Sequence, residues 1–366
     1  MFKRFHPLLD EILHCPFDAV IPLCYLHPLM AQYSGITFSF YGLGISIKCP
    51  DSQTLQDIRR DYSFFLDDTV TPKIFFEIFD EAPDYSKLPP LKATIYSPRN
   101  ICYTKDNLSF IDYFGKGLTI IDRNTNIYKI FCIDSHLRHE IVFLSILSLV
   151  GQDLDSRHLH RVHGLGLEIH NKAILILLPS GGGKTTLLLE LMKHDFIKLI
   201  SEDSPLIDAS GNALPFPIRI GMTMAGKPSD IPEEHLHLIQ RMEFGSKYVI
   251  DVTFFKDKII KKSVNVQYIL CGVRCLGTES SITPLSKRAA LKDLVTNSVV
   301  GVGLYQGLEF LLQNNAWELL KKGGLLFSRL RNVSKILSGS RTYSFVLGCD
   351  RAKNVETFLD FCRKTL

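Results

Sequence analysis

Apolar residues in the first 135 positions occur in short runs that alternate with polar turn segments. The runs are rich in β-branched and aromatic residues, and pieces such as "CPDS", "SPRN", "KDN" and "DRNTN" separate them. Short runs of this composition between turn residues predict strands. The predicted strands are, in chain order, "GITFSF", "GISIK", "KIFFEIF", "ATIYS", "NICYT", "LSFIDYF", "LTIID" and "IYKIFC". We therefore expect a strand-rich, antiparallel N-terminal domain.

Residues 136–150 have a helical spacing instead, which predicts a helix that closes the first domain. The apolar positions near one face of this helix are Leu137, Ile141, Phe143, Leu144 and Leu147. The next stretch, "GQDLDSR", is polar and begins with glycine. We expect it to separate a first domain, residues 1–155, from a second domain, residues 156–366.

The second half of the chain mixes both spacings. "EEHLHLIQRM" and "KRAALKDLVTNSVVGVGLYQGLEFLLQ" predict helices, and "VQYILCGV" predicts a strand. "YSFVLGCD" followed by "NVETFLDFCRK" predicts a strand and then a helix. With its strand-rich first half, the chain is predicted to combine α+β and α/β architecture.

The segment "KAILILLPSGGGKTTLLLELMKHDFIKLISEDSPLID" predicts a strand over 173–178, a turn over 179–183, a helix over 185–194 and a strand over 196–200. Both strands are uniformly apolar, which is typical of strands buried on both faces. A strand-helix-strand unit brings its second strand parallel to the first in one sheet. The glycine-rich turn and "SED", which follows the second strand, are therefore expected to be neighbours.

The turn has the residues that a phosphate-binding loop requires. Glycines allow consecutive backbone N–H groups to point inward, and a helix that begins there adds partial positive charge. Lys184 can bridge the terminal phosphates and Thr185 can hold Mg²⁺. Leu178 occupies the position of the first glycine of the usual motif. The predicted nucleotide-binding residues are Ser180, Gly181, Gly182, Gly183, Lys184, Thr185 and Thr186.

Two carboxylates are expected to face this loop. Glu202 and Asp203 directly follow the second strand of the unit. A carboxylate in that place can accept a hydroxyl proton or orient a metal ion beside the phosphates. Which of the two acts as the base is left open by the sequence.

From "RVHGLGLEI" through "GGGKTTLLLELMKHDFIKLISEDSPLI" the chain resembles the HPr kinase family. Members of that family have a His-Gly pair that ends a strand, then a phosphate loop, then an acidic pair after the next strand. The matching residues are His163 and Gly164, the loop 180–185, and Glu202 with Asp203.

The resemblance implies a P-loop kinase core related to the phosphoenolpyruvate carboxykinases, with ATP and Mg²⁺ as cofactors. It implies transfer of the γ-phosphate to a serine hydroxyl. Lys184 would contact the β- and γ-phosphates, Thr185 and Asp203 would ligate Mg²⁺, and Glu202 or Asp203 would be the base. His163 would lie close to them.

The chain also departs from the family pattern. The family has two aspartates where Glu202 and Asp203 stand. In "PFPIRIGM", Arg219 matches an arginine that contacts substrate or phosphate, but Pro217 occupies the position of an acid, which leaves metal ligation to Glu202 or Asp203. A basic C-terminal region that grips HPr is not found. The pattern is more similar to HPr-kinase-related proteins found with bacterial peptide-tailoring or small-molecule pathways.

Several alternatives stay open at this point. The acceptor is expected to be a serine of a peptide or protein; a small hydroxylated substrate, such as free serine or a sugar-like alcohol, is the alternative. A third hypothesis is a nucleotide-gated binding module with little catalysis. The histidines of "RHLHRVHG" suggest a metal site, but strand alternation places His158 and His160 on one face and His163 on the other. Assembly as a homo-oligomer is compatible with the sequence.

Composition narrows the partners and the compartment. The net charge is +4 over 366 residues, with no strongly basic block, so neither nucleic acid nor a membrane surface is expected as a partner. The nine cysteines are scattered, as in reduced cytoplasmic proteins. Apolar runs are shorter than the roughly 20 residues of a spanning helix, and "MFKRFHPLLDEILHC" lacks the features of a secretory signal.

Overall fold

The computed structural model describes residues 33–179, 181–223, 226, 228, 230–240, 245–300 and 316–366. Ser180, the N-terminal segment "MFKRFHPLLDEILHC" and the part of the long predicted helix after residue 300 lie outside the described residues. The fold is mixed α/β, with two large sheets and one small sheet. Among the described helices, none is both long enough and apolar enough to cross a bilayer.

The strands of the first sheet are β1 (Gly35–Phe40), β2 (Leu43–Lys48), β3 (Ile74–Phe79), β4 (Ala93–Tyr96), β5 (Ile101–Lys105), β6 (Leu108–Asp112), β7 (Leu118–Asp122) and β8 (Ile127–Phe131). Those of the second sheet are β9 (His160–Arg161), β10 (Leu165–Ile169), β11 (Lys172–Leu177), β12 (Ile197–Ser201), β13 (Leu206–Ile207), β14 (Asn212–Leu214), β18 (Val264–Arg274), β19 (Ser281–Pro284) and β20 (Arg341–Leu347). The third sheet consists of β15 (Ile220–Met222), β16 (Leu236–Ile239) and β17 (Lys247–Ile250).

The α-helices are α1 (Ser52–Asp61), α2 (Ser135–Ser156), α3 (Lys184–Leu191), α4 (Lys287–Val295), α5 (Ala316–Gly339) and α6 (Arg351–Thr365). Short 3-10 segments occur at Ser63–Phe65, Tyr85–Lys87, Glu233–His235 and Val252–Lys258, and a π turn at Thr296–Val300. The strand and helix predicted near the C-terminus are confirmed as β20 and α6.

The first sheet contains all eight expected strands, in the order β1-β2-β3-β8-β7-β6-β5-β4. The expectation that it is antiparallel is wrong for two pairs, because β2 with β3 and β3 with β8 are parallel. Parallel neighbours need a crossover connection. Helix α1, which the sequence pattern did not reveal, makes the crossover from β2 to β3 and begins where the Asp51 side chain accepts hydrogen bonds from the N–H groups of Gln53 and Thr54.

Helices α1 and α2 contribute to the large core of the first sheet, and a smaller cluster around Phe79, Phe110 and Phe131 forms a separate core. Tyr62 directly follows α1, and its hydroxyl donates to the Phe143 carbonyl of α2 at 2.8 Å. Helix α2 continues to Ser156, so the polar stretch 151–157 forms the last turns of a helix and not a loop. Asp134 caps its beginning.

The second sheet carries the strand-loop-helix-strand unit in the expected order. Strands β11 and β12 run in the same direction, with the antiparallel β10 between them, and β11, β18 and β20 are parallel neighbours. Alternate side chains of β11 enter two different cores. Ile174 and Ile176 pack with α3 and α6, whereas Ala173 and Leu175 pack with α4 and α5. Burial on both faces is therefore confirmed for this strand.

The prediction of a helix over "EEHLHLIQRM" is wrong in the described residues. Glu233–His235 is a 3-10 turn and Leu236–Ile239 is strand β16, which pairs with β17. A short apolar pattern fits both the helical and the strand period, and pairing with a neighbouring strand decides between them. Leu236 packs against the core of the second sheet, while His237 lies on the other face of the strand.

The two large sheets are packed together near the predicted domain boundary. Leu206 and Phe216, which follow β12, belong to the same core as α1 and α2. The first sheet ends at Phe131 and the second begins at His160. The boundary at residues 155 and 156 stays a prediction.

Arg138 links the start of α2 to the first sheet from a buried position, with 2% of its surface exposed. Its guanidinium donates to Asp51, Asp80, Thr54 and the carbonyls of Cys132 and Ile133. A buried charge is tolerated only when it is paired and hydrogen-bonded. These contacts supply both.

We expect Arg138→Met to lower the free energy of unfolding by about 2–3 kcal/mol, because it leaves Asp51 and two carbonyls without their partner. The expected loss is not larger because Asp80, the other carboxylate, is partly exposed. Urea denaturation measures the change. Arg363→Met, which removes an exposed pair with Asp360 on α6, is the control and should have little effect. Equal losses in both variants would contradict the prediction.

Candidate functional site

The glycine-rich loop lies between β11 and α3. Gly181 and Gly183 have φ values of +74° and +96°, which side chains other than glycine rarely adopt, and Gly183 is the residue before the first turn of α3. The Gly182 N–H donates to the Pro179 carbonyl at 2.9 Å. Successive turns of this kind before a helix N-terminus form a concave site for anions.

The packing of Leu178 explains why leucine, and not glycine, stands at the first position of the loop motif. Its side chain is fully buried, and its Cδ2 lies 2.3 Å from where a Cβ on Gly272 of β18 would be. Leucine therefore fills the space above a glycine on the neighbouring strand. Its carbonyl accepts a hydrogen bond from Lys184 Nζ at 3.0 Å. The backbone of this position serves the site while the side chain serves the core.

Lys184 is at the centre of the site and is only 6% exposed. Its ammonium donates to His163 Nε2 at 2.8 Å and lies 3.5 Å from Asp203 Oδ1. His163 Nδ1 lies 3.2 Å from the same Asp203 oxygen. Because Nε2 accepts from the ammonium, the ring donates its proton from Nδ1 to Asp203. The three side chains form one connected polar chain.

Backbone hydrogen bonds hold the segment that carries Asp203 beside the segment that carries His163. The Gly164 N–H donates to the Asp203 carbonyl at 3.1 Å, and the Val162 N–H donates to the Pro205 carbonyl at 3.0 Å. The His163 N–H donates to the Asn297 carbonyl at 2.8 Å. The predicted His-Gly pair and acidic pair are thus neighbours, as the sequence spacing indicated.

Thr185 contacts the other carboxylate. Its hydroxyl donates to Glu202 Oε1 and lies 3.4 Å from the Gly221 carbonyl of β15. The sequence paired Thr185 with Asp203 as metal ligands. The structure instead places Glu202 beside Thr185, and Asp203 beside His163 and Lys184.

The two neighbouring carboxylates titrate in opposite directions. Burial and the charge of Asp203 raise the pKa of Glu202 to about 7, although the Thr185 hydroxyl, Lys184 and Lys247 oppose the shift. Burial also raises the pKa of Asp203, but the hydrogen bond from His163 and the charge of Lys184 outweigh it and hold that pKa below its usual value. Two acids that differ in this way can carry different roles.

A pocket of about 290 Å³ adjoins the loop and the exposed side of α3. Gly181, Gly183 and Thr186 line it, together with Arg274 at the end of β18 and Arg351 at the start of α6. The pocket lies beyond the carboxyl ends of parallel strands, where α/β proteins bind ligands. The sequence pattern did not single out either arginine. A usable signal existed for Arg274, because it is a charged residue at the end of an apolar strand.

Arg219 has a different environment from the one expected. Its guanidinium lies 3.1 Å from Asp61 Oδ2 and 3.5 Å from the centre of the Phe143 ring. His139 contacts the same carboxylate at 2.7 Å. The Arg219 side chain therefore joins β15 to α1 and α2, and its assignment to phosphate or substrate stays a prediction.

His158 and His160 lie on the opposite side from His163, as alternation indicated. Both contact the Ser328 hydroxyl of α5, at 2.7 and 2.8 Å, and His160 also contacts Asp155 at 2.9 Å. Within the described parts of the chain, no group of three or more His, Cys, Asp or Glu side chains is arranged to hold a metal ion by itself.

No family model matches the chain, and a search of curated proteins found no matching relative. The fold and site define a mixed α/β protein in which a glycine-rich loop and a buried lysine face a pair of carboxylates.

The raised pKa of Glu202 has a consequence for stability. The folded protein holds the Glu202 proton up to about pH 7, whereas the unfolded chain releases it near 4.5. Stability therefore falls as the pH rises between these values. We expect Glu202→Gln to remove this loss, so that between pH 5 and about pH 8 the variant gains on the order of 1–2 kcal/mol relative to the wild type.

Denaturant unfolding without added metal or nucleotide measures the difference. Glu356→Gln, which replaces an exposed carboxylate on α6, is the matched control. Its difference from the wild type should stay constant over the same interval. A Glu202→Gln difference that does not change with pH would contradict the shift.

Proposed function

We propose that the protein is an ATP- and Mg²⁺-dependent kinase of the HPr-kinase-like type that phosphorylates a hydroxyl, namely a serine of a peptide or protein. The observation that carries the proposal is the contact of loop residues with the acidic pair. Lys184 lies beside Asp203 and His163, and Thr185 beside Glu202. A glycine-rich loop by itself indicates phosphate binding. Carboxylates in contact with the loop indicate phosphoryl transfer as well.

The residues suit a nucleotide with Mg²⁺. The left-handed glycines and the start of α3 supply donors for phosphate oxygens, and Lys184 supplies a charge. Burial and, after it, the charge of Asp203 raise the pKa of Glu202, and a divalent cation beside the two carboxylates would relieve the repulsion between them. Mg²⁺ is usually held by one or two carboxylates plus phosphates and water, so a larger protein cage is not required.

Each side chain of the site would have its own role in phosphoryl transfer. Glu202 and the Thr185 hydroxyl would hold the metal, which when bound neutralises charge on the phosphates. Asp203, 45% exposed and oriented by His163, would take the acceptor proton. The acceptor oxygen forms a bond to the γ-phosphorus, the bond from that phosphorus to the bridging oxygen breaks, and ADP leaves with the electron pair. Lys184 stabilises the charge that moves onto the bridging oxygen.

The pocket of about 290 Å³ beside the loop supports a place for the body of the nucleotide. Arg274 donates to the Gly348 carbonyl at 2.9 Å and lies at the loop, 3.9 Å from the Cβ position of Gly183. Guanidinium groups bind phosphate oxygens through two parallel hydrogen bonds. We assign Arg274 and Arg351 to the phosphates or ribose of the bound nucleotide.

We expect Lys184→Ala to abolish nucleotide binding and phosphoryl transfer together. We expect Asp203→Asn to lower transfer about 100-fold or more while changing nucleotide affinity only a few-fold, because a base acts on the acceptor and not on the nucleotide. Radiolabelled ATP with acceptor peptides and isothermal titration with ATP·Mg²⁺ measure the two quantities. Lys193→Ala, an exposed lysine two residues after the end of α3, is the control.

Labelling that survives in Lys184→Ala after nucleotide binding is lost would overturn the kinase proposal. If Glu202→Gln and Asp203→Asn both keep nucleotide turnover at the wild-type level, the acids are not catalytic. That outcome would favour the nucleotide-gated binding module.

Arg274→Gln tests the place of the nucleotide. We expect about tenfold weaker ATP binding, since one charge-assisted hydrogen bond contributes roughly 1.5–3 kcal/mol. The thermal midpoint of the free protein should stay close to the wild type. Arg363→Gln, an exposed arginine at the other end of α6, is the matched control. Unchanged affinity in Arg274→Gln would place the nucleotide elsewhere.

A further inference from the structure

Lys247 of β17 reaches toward the candidate site from the third sheet. The order of that sheet is β15-β17-β16, so β15 is the edge strand and β17 the central one. The carbonyl of Gly221 on β15 lies 3.4 Å from the Thr185 hydroxyl, which places this edge beside the loop. A side chain of β17 therefore has to pass over β15 to come near the reacting groups.

The passage over β15 is open because residue 221 is glycine. Gly221 is paired with Val249, and Lys247 lies two residues before Val249, on the same face of the sheet. Lys247 Cδ, Cε and Nζ lie 3.2, 2.9 and 2.2 Å from where a Cβ on Gly221 would be. The φ angle of Gly221 is not in the left-handed region, so its backbone conformation does not require glycine. The space that the ammonium occupies does require it.

The charge of Lys247 reaches the carboxylate that contacts the loop. Burial raises the pKa of Glu202, and the charges of Lys184 and Lys247 both oppose that rise. The two ammoniums are held differently. Lys184 is buried and donates to the Leu178 carbonyl and to His163, whereas Lys247 is half-buried at the end of a flexible stem. Lys247 can therefore adjust its position to a bound anion.

The position of Lys247 suits the outermost phosphate of a bound nucleotide. A phosphate loop surrounds the inner phosphates, and the metal ion bridges the β- and γ-phosphate oxygens. Glu202 and Thr185, the residues proposed to hold that metal, are the ones beside the edge of the third sheet. A cation that comes from this sheet, and not from the loop, meets the γ-phosphoryl group. In phosphoryl transfer, negative charge is spread over the three equatorial oxygens of this group, and a separate cation often stabilises it.

We infer that Lys247 binds the γ-phosphoryl group of ATP and that Gly221 gives its side chain access to the site. The inference rests on the proposed nucleotide site, but it does not require transfer to any acceptor. If transfer occurs, Lys247 keeps its proton and stays at the equatorial oxygens while the acceptor oxygen bonds to phosphorus and the bridging oxygen leaves.

The binding experiment compares β,γ-imido-ATP with ADP, each with Mg²⁺, by isothermal titration on the full chain. We expect Lys247→Met, which removes the charge and keeps most of the stem, to weaken β,γ-imido-ATP binding about tenfold. Its ADP affinity should change little, because ADP has no γ-phosphoryl group. Lys184→Ala should differ by losing both nucleotides. Lys256→Met, an exposed lysine on the Val252–Lys258 segment after β17, is the control and should keep both affinities.

Gly221→Ala tests whether the glycine acts through the lysine. The new methyl group would meet the far end of a flexible side chain, which can move aside, so the fold and its thermal midpoint should be kept. We expect the same selective loss of β,γ-imido-ATP affinity as in Lys247→Met, and no further loss when both substitutions are combined. Gly245→Ala, just before β17, is the control, because a Cβ there has no neighbour within 4 Å among the described residues.

The outcomes separate this inference from the proposed function. Equal losses for both nucleotides in Lys247→Met, or no loss for either, would overturn the inference and leave the kinase proposal in place. Wild-type selectivity in Gly221→Ala, or a further loss in the double variant, would overturn the role of the glycine. Selective loss of β,γ-imido-ATP in a protein that labels no acceptor with radiolabelled ATP would support the inference and remove the kinase function. A wild type that binds neither nucleotide would overturn both.

Discussion

The rest of the site depends on the burial of one ammonium group. Lys184 is nearly inaccessible to solvent, and a buried charge is stable only with close partners. The Leu178 carbonyl, His163 and Asp203 provide them. These partners come from the end of β11, the segment after β9 and the end of β12. A single charge thus requires three separate parts of the chain to meet at one edge of the second sheet.

The strands can meet there because the sheet is buried on both faces. The alternate residues of β11 enter two cores, one with α3 and α6 and the other with α4 and α5. Leu178 continues this pattern and packs over Gly272 of β18. The loop therefore begins from a fixed strand, and the start of α3 cannot shift without disturbing a core. Rigid support of this kind is what a site for charged ligands needs.

Much of the local structure could be predicted from the chain. The eight strands of the first sheet, the strand-loop-helix-strand unit and the nearness of "SED" to the loop follow from short-range patterns and a general rule of chain connection. The missed parts are different in kind. Helix α1, the parallel pairs of the first sheet and strand β16 have patterns that fit more than one structure, and long-range pairing chose among them.

The sequence by itself determined which residues could bind phosphate and accept a proton, because glycines, a lysine and two acids at that spacing carry the chemistry in their own side chains and backbone. Only the tertiary structure decided the partners. It joined Thr185 to Glu202 and His163 to Asp203, directed Arg219 toward Asp61, and brought Arg274 to the loop from ninety positions along the chain. Contacts between distant segments depend on how sheets and helices pack, which spacing along a chain does not encode.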